Sequence, residues 1–286
     1  MIRLISLFFA ASLSLQAVEP TNFIRITETE ERAQLQTAVT TYTKGESSVT
    51  LIGAIHIADE AYFQSLNKEF SNYPTLLFEL IGGEDVAQTL DGKPDLEERE
   101  DDGRPTSGLS GLYGSLAKLM QLVEQLEYID YTKENFVHGD LTMAEHDKLT
   151  EGKDIDILAF SLQTSAKTSE ITGKAFGGMD MGLVTRALLS GDGSLLKLQY
   201  MKLMDQGDES AAALTGKNLI IGDRNDKCFQ VLAKHQKEGA KKIGIFYGAA
   251  HFPDMEKRLL ADGFERTEHR WLTAWDIKKT MPKSKK

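Results

Sequence analysis

The tetrapeptide Gly53-Ala54-Ile55-His56 recurs later in the chain as Gly248-Ala249-Ala250-His251. The first copy follows the apolar run Ser48–Ile52, and the second follows the apolar run Ile243–Tyr247. Both copies precede a segment with helical spacing of its apolar residues. Because a short apolar run closed by glycine is typical of a buried strand that turns at its carboxyl end, the repeat predicts two strand–turn–helix units.

Histidine ends both copies of the repeat. In open α/β sheets, ligands bind beyond the carboxyl ends of the strands. We therefore expect His56 and His251 to approach one common site. The alternative interpretation is that two ordinary histidines share a short motif by chance.

A carboxylate lies near the end of the next predicted strand, Thr75–Ile81. An ionised Glu79 inside such an apolar run costs several kcal/mol unless it is paired, hydrogen-bonded or bound to a metal. Its position near the carboxyl end of the strand places Glu79 in the same crevice as His56. The alternative is an edge strand with Glu79 facing water.

Two further polar groups follow predicted strands. Asp140 comes after the apolar run that leads to His138, and Arg224 follows the predicted strand Asn218–Ile221. Asp140 also suits plain turn chemistry. Arg224 could hold a carboxylate or stabilise an oxyanion, and a salt bridge to Asp223, Asp226 or Glu79 is the structural alternative.

The remaining pattern predicts an α/β domain over residues 18–277, with a central mixed, largely parallel sheet, the two strand–Gly-x-x-His–helix repeats and a helical insertion at about 108–207. Shorter expectations concern single elements. They are a hairpin of Phe23–Thr29 and Gln36–Tyr42, a helix capped by Asp59, a loop at Gly82–Gly111, a helix at Leu112–Leu126, a capping box at Thr142–Glu145, a helix at Lys227–Glu238 and closing strands in Phe264–Ile277.

The first residues, Met1–Ala17, have a basic residue followed by a short apolar run and are typical of a secretory signal peptide. Removing them changes the formal net charge from -10 to -11, because Arg3 is their one charged residue. This acidity disfavours nucleic acids and anionic membranes as partners. The basic tail, residues 278–286, is interpreted as a solvated terminus, and the single Cys228 excludes an internal disulfide.

Several familiar catalytic motifs are absent from the sequence. It contains no Gly-x-Ser-x-Gly elbow, no Walker loop and no His-Glu-x-x-His. Two imidazoles with one or two carboxylates suit an open site for a divalent ion that activates water. The sequence therefore predicts His56, His251 and Glu79 as metal ligands, and Glu79, Asp140 and Arg224 as catalytic groups.

The paired Gly-x-x-His turns, the Phe78-Glu79-Leu80 strand and the Asp223-Arg224-Asn225 turn resemble the TraB/PrgY/GumN superfamily, which includes the TIKI metalloproteases. The family usually has Glu-Arg-Asn where this chain has Asp223-Arg224-Asn225. The resemblance spans roughly Val49–Trp275 and implies a fold like that of the EreA and ChaN proteins. It also implies the two histidines and a glutamate as ligands of manganese or cobalt, and peptidase activity in the TIKI branch.

These observations lead to the hypothesis of an exported, periplasmic or secreted, metal-dependent hydrolase. A peptidase using manganese, cobalt or zinc is the leading form, with a peptide or a small molecule as substrate and no membrane span after signal cleavage. One alternative is a non-catalytic protein that sequesters a peptide or haem. Another is a metal-dependent esterase with the same residues.

Overall fold

The computed structural model describes residues 21–84, 86, 118, 120–150, 181–190, 192–199, 201 and 221–279. The strands in this part of the chain are β1 (Ile24–Glu28), β2 (Arg32–Lys44), β3 (Ser47–Ala54), β4 (Ile57–Ala58), β5 (Thr75–Phe78), β6 (Val123–Glu124), β7 (Phe136–His138), β8 (Lys242–Gly248) and β9 (Glu265–Lys278). The helices are α1 (Glu60–Phe70), α2 (Gln125–Tyr128), α3 (Met143–Thr150), α4 (Met181–Ser190), α5 (Gly222–Lys237) and α6 (Phe252–Ala261), with a 3-10 turn at Ala249–His251.

Four parallel strands lie side by side in the order β3-β8-β5-β7. On the outer side of β3 the sheet continues with antiparallel β2, which also pairs with β1 and β9. The predicted α/β class with a central mixed sheet is therefore confirmed. The register pairs Ala54 of β3 with Gly248 of β8, so both Gly-x-x-His turns leave the sheet at the same edge.

Each face of the sheet has its own apolar core, because side chains alternate along the buried strands. On one face α1 packs Tyr62, Phe63, Leu66 and Phe70 against the sheet. On the other face α5 and α6 contribute a second set of buried residues, which includes Cys228, Leu232, Met255 and Leu259. Helices therefore cover both faces, and the carboxyl-end edge of the parallel strands is left for polar side chains.

Several predicted elements are confirmed. The hairpin is formed by β1 and β2, and the closing segment is one long strand, β9. The capping box at the start of α3 is also present. The Glu145 N–H donates to Thr142 Oγ1 at 3.1 Å, and the Thr142 N–H donates to Glu145 Oε2 at 2.9 Å.

The predicted helix over Leu112–Leu126 is wrong at its carboxyl-terminal part. Gln121 has a positive φ of 55°, and β6 pairs antiparallel with β4, Val123 lying opposite Ala58. Strand pairing satisfies the backbone groups of these residues, although their apolar spacing suits a helix. As a result, Val123 and Glu124 pair with Ala58 and Ile57, the residues just after His56.

The structure confirms Asp59 at the start of α1 but not as a side-chain cap, and it corrects the start of α5. Asp59 occupies the N-cap position of α1 without a side-chain cap bond, because its carboxylate accepts hydrogen bonds from Lys197 Nζ at 2.8 Å and from the Asp276 N–H at 2.7 Å. Helix α5 begins at Gly222 rather than at Lys227. The predicted turn Asp223-Arg224-Asn225 therefore lies in the first turns of a helix.

Some predictions fall outside the described residues. They are the signal peptide 1–17, the loop after Glu84, the strand residues 218–220, about half of the insertion 108–207 and the tail beyond Lys279. Within the described part of the insertion, α4 is the helix expected near Gly182–Leu189. No described helix is long and apolar enough to cross a membrane.

Candidate functional site

Three parallel strands deliver the candidate residues to one edge of the sheet. His56 follows the end of β3, Glu79 follows β5 directly, and His251 closes the 3-10 turn after β8. The Glu79 N–H donates to the Phe246 carbonyl at 3.1 Å, which fixes the end of β5 against β8. Parallel pairing therefore brings together residues that are far apart in sequence.

Glu79 lies at the centre of this edge, and its side chain is only 9% exposed. Its Oε1 lies 2.6 Å from Arg224 Nη2 and 3.5 Å from His251 Nε2, and its Oε2 accepts the Gly248 N–H at 2.5 Å. Because β5 lies between β8 and β7, the alternative of a water-facing edge strand is wrong.

The charge state of Glu79 follows from these contacts. Burial alone would raise the pKa of this carboxyl. The cationic Arg224 guanidinium, and then His251 and His56, outweigh the cost of burial and hold the pKa of Glu79 well below its usual range. Glu79 is therefore an anion at neutral pH, as a metal ligand or a general base must be.

Arg224 joins Glu79 to a second carboxylate, Asp140, whose side chain is fully buried. Arg224 Nη2 donates to Asp140 Oδ2 at 2.5 Å, and Nε donates to Oδ1 at 3.0 Å. The Leu141 N–H adds a bond of 2.8 Å to Asp140 Oδ1. Of the salt bridges weighed for Arg224, the one to Glu79 is observed.

The same carboxylates act on the charge of the guanidinium. Burial would lower the pKa of Arg224, but Glu79 and Asp140 raise it above its ordinary value. Arg224 thus stays charged and is 12% exposed. The ring of His138 contacts the backbone, because its Nε2 lies 2.7 Å from the Leu80 carbonyl oxygen.

His251 is held by Asn225, a residue of α5 that belongs to the quoted Asp223-Arg224-Asn225 segment but was given no role at the site. Asn225 Oδ1 lies 2.7 Å from His251 Nδ1, and Asn225 Nδ2 donates to Asp254 Oδ2 at 2.8 Å. Both Asn225 and His251 are buried. The early start of α5 explains this contact, because residues in the first turns of the helix reach the end of β8.

His56 is exposed, and it is held by Gln125 at the start of α2. Gln125 Oε1 lies 3.2 Å from His56 Nδ1, and the Gln125 N–H donates to the His56 carbonyl at 2.8 Å. Gln125 Nε2 donates to the Tyr131 hydroxyl at 2.9 Å. Nothing in the sequence indicated Gln125, because it falls in a stretch predicted as an amphipathic helix.

Direct contacts therefore join four of the five predicted residues: Glu79, Asp140, Arg224 and His251. His56 lies near enough that its positive charge, when it is protonated, lowers the pKa of Glu79. Among the described residues, no group of three or more His, Cys, Asp or Glu side chains has the spacing that a metal ion requires. A cavity of about 320 Å³ lies elsewhere, beside Arg32 and Lys197, and none of the five lines it.

No family model, no curated protein and no solved structure matches this chain. The resemblance to the TraB/PrgY/GumN superfamily and the EreA/ChaN-like details of the fold therefore stay predictions. Function has to be inferred from the geometry of the site.

Proposed function

We propose that this protein is an exported metal-dependent hydrolase, with a peptidase as its leading form, and that His56, Glu79 and His251 hold a divalent cation. The observation that carries the proposal is the distance of 3.5 Å between His251 Nε2 and Glu79 Oε1 at the carboxyl end of parallel strands. Open α/β sheets bind ligands at the carboxyl ends of their strands.

The donor atoms fit such an ion in type, and two of the three, on His251 and Glu79, fit it in spacing. Imidazole nitrogen and carboxylate oxygen suit zinc, cobalt and manganese. Two ligands that each lie about 2.1 Å from a tetrahedral ion are about 3.4 Å apart, close to the separation of His251 Nε2 and Glu79 Oε1. A second imidazole, His56, is near enough for its charge to affect Glu79.

When bound, the ion would lower the pKa of a water molecule and polarise the scissile carbonyl. Arg224 keeps Glu79 ionised, and the Gly248 N–H fixes the second oxygen of this carboxylate. Asp140 has no exposed surface and bonds Arg224, so in this proposal it positions the guanidinium rather than touching substrate. Arg224, which is partly exposed, is the group that would face negative charge on the substrate.

The first experiment measures metal content and cleavage on the same preparation. The chain from Val18 onward would be analysed for bound metal after dialysis. It would then be incubated with a peptide library, with small ester substrates, and with manganese, cobalt, zinc or a chelator. We expect bound divalent metal and cleavage that the chelator abolishes. Cleavage of esters alone would replace the peptidase by the esterase form of the proposal.

The matched variants are His56→Ala and His235→Ala. Both change one solvent-accessible histidine, and His235 lies on α5 beside Glu238, away from the strand ends. We expect His56→Ala to lose most of the metal-dependent cleavage and His235→Ala to keep it. Equal activity of both variants, or the absence of any metal binding, would overturn the proposal. A haem Soret band without metal-stimulated cleavage would favour the sequestering protein instead.

Export is tested separately in a cell fraction experiment. If residues 1–17 are removed during secretion, amino-terminal sequencing of the exported protein should begin at Val18. Retention of the full chain in the cytoplasm would contradict this part of the proposal.

A further inference from the structure

Two buried amide side chains contact the two histidines in the same way. Asn225 Oδ1 faces Nδ1 of His251, and Gln125 Oε1 faces Nδ1 of His56. The two amides come from separate helices, α5 and α2. In both contacts the amide oxygen faces the same ring nitrogen, Nδ1.

The chemistry of the amide decides which ring nitrogen carries the proton. An amide oxygen only accepts hydrogen bonds, so an imidazole nitrogen that faces it must be an N–H donor. In the neutral ring the other nitrogen, Nε2, then has a free lone pair. Both contacts therefore favour a proton on Nδ1, which leaves Nε2 as the nitrogen that can bind a metal. At His251 this Nε2 also lies 3.5 Å from Glu79 Oε1, so without a metal it can share a proton with that carboxylate.

The orientation of the Asn225 amide is fixed by its other partners. Its Nδ2 lies 2.8 Å from a carboxylate oxygen of Asp254 and 3.3 Å from the His251 carbonyl oxygen, and both of these atoms are acceptors. Arg258 Nε holds the same Asp254 oxygen at 2.7 Å. An inverted amide would place oxygen against oxygen, so Oδ1 has to face the imidazole.

Gln125 is held from three sides. Its backbone N–H bonds the His56 carbonyl, its Nε2 donates to the Tyr131 hydroxyl, and its side chain is buried although His56 is exposed. These contacts of Gln125 fix the ring of His56, which is otherwise exposed. Ordering a side chain before a ligand arrives removes an entropic cost from binding.

We propose that Gln125 and Asn225 are positioning residues that hold the rings of His56 and His251 by a protonated Nδ1 and so reserve Nε2 as the ligating nitrogen. This inference rests on the proposed function only for its purpose, which is to present two ligating nitrogens beside Glu79. Amide partners of this kind typically change metal affinity by about ten- to a hundredfold when they are lost. The proton on Nδ1 is expected in the metal-free protein as well.

The test is nitrogen NMR of the chelator-treated protein labelled with ¹⁵N-histidine, at about pH 8.5, above the usual histidine pKa of about 6.5. The two ring nitrogens of a neutral histidine have well separated shifts, and these identify the tautomer. The spectra of His56→Ala and His251→Ala assign the two rings. We expect a protonated Nδ1 for both residues, and an unprotonated Nδ1 at either ring would overturn the assignment.

Variants of Gln125 separate positioning from mere packing. Gln125→Glu keeps an oxygen that accepts from His56 Nδ1, whereas Gln125→Met removes it, and both keep the backbone bond to His56. We expect Gln125→Met to release the tautomer of His56 and to weaken zinc or cobalt binding by about tenfold or more, and Gln125→Glu to retain both. Gln64→Met, at an exposed position on α1, is the matched control.

The outcomes distinguish the two proposals. A protonated Nδ1 at both rings without metal binding or cleavage would refute the hydrolase while leaving the positioning role intact. Equal behaviour of Gln125→Met and Gln125→Glu would refute the positioning role, whatever the activity of the protein.

Discussion

Arg224 Nη2 lies 2.6 Å from Glu79 Oε1, and the same nitrogen bonds Asp140 Oδ2. One cation thus serves two buried carboxylates from the ends of neighbouring strands. The net charge of the three groups is negative, and the surplus is what a divalent cation beside Glu79 would neutralise. The packing of α5 on the sheet is therefore linked to the charge of the candidate site.

The first prediction concerns the removal of this cation. Arg224→Met leaves Glu79 and Asp140 buried without their counter-charge, and breaking a buried pair in this way costs about 3–5 kcal/mol. Chemical denaturation at neutral pH should show a loss of this size. Arg224→Lys keeps the charge but cannot bond both carboxylates in the same planar geometry, so its loss should be smaller.

Arg32→Met provides the control, because Arg32 makes a comparable two-point bond to Asp276 at the exposed end of β2. Exposed ion pairs contribute about 0–1 kcal/mol, so Arg32→Met should change stability little. Similar losses for Arg224→Met and Arg32→Met would contradict the importance given to burial.

The second prediction is a pH dependence that arises from Glu79. Burial raises the pKa of Glu79, but Arg224, His251 and His56 outweigh it, so the folded pKa lies below the ordinary value of 4.5. A carboxyl with a depressed folded pKa contributes stability that is present above about pH 4.5 and is lost as the pH falls through the folded pKa. Acidification should therefore destabilise the protein partly through this residue.

Glu79→Gln removes this titration. Denaturation midpoints measured from about pH 7 down to pH 3 should fall less steeply for Glu79→Gln than for the unmodified protein. Glu46→Gln is the control, since Glu46 is 82% exposed and pairs only with Lys241 among the described contacts. A curve for Glu79→Gln that parallels the curve for Glu46→Gln would refute the assigned ionisation.

The strand-end residues were predictable because parallel strands bring their carboxyl ends to one edge whatever the length of the connections. The run of apolar residues around Glu79 and the repeated Gly-x-x-His turns contained this information. The sequence predicted the sheet class and four contacting residues for that reason. It also predicted the α3 capping box, which depends on residues only three positions apart.

The contacts of Asn225 and Gln125 with the histidines were not predictable in the same way, although Asn225 lies in the quoted Asp223-Arg224-Asn225 segment. Each reaches its histidine through tertiary packing: Asn225 because α5 begins before Lys227, and Gln125 because β6 pairs with β4. Local spacing favours a helix in the second case, and backbone pairing over a long sequence separation overrides it. Side-chain partners that depend on such pairings leave no periodic pattern in the sequence.

The third prediction concerns Tyr247, which supports the loop before Asp140. Its hydroxyl donates to the Gly139 carbonyl at 2.8 Å in the core. Tyr247→Phe leaves that carbonyl without this donor, which costs about 1–3 kcal/mol for a buried group. Thermal or chemical denaturation would measure the loss, and an unchanged stability would show that the Gly139 carbonyl has another adequate partner.

The last prediction compares the two glycines that open the Gly-x-x-His turns. A Cβ at position 53 would lie 3.1 Å from both the Ala38 carbonyl oxygen and Thr37 Cβ, atoms that are fixed by strand β2. Gly53→Ala should therefore destabilise the fold by about 1–3 kcal/mol through overpacking. At Gly248, φ of -51° and ψ of 131° suit alanine, and the nearest atom to a Cβ is Glu79 Oε2 at 3.3 Å. Gly248→Ala should thus cost less than about 1 kcal/mol and instead displace Glu79, weakening metal binding more than Gly53→Ala does. Denaturation should show the larger loss of stability for Gly53→Ala, and metal titration should show the larger loss of affinity for Gly248→Ala. One variant being the more impaired in both measurements would contradict this prediction.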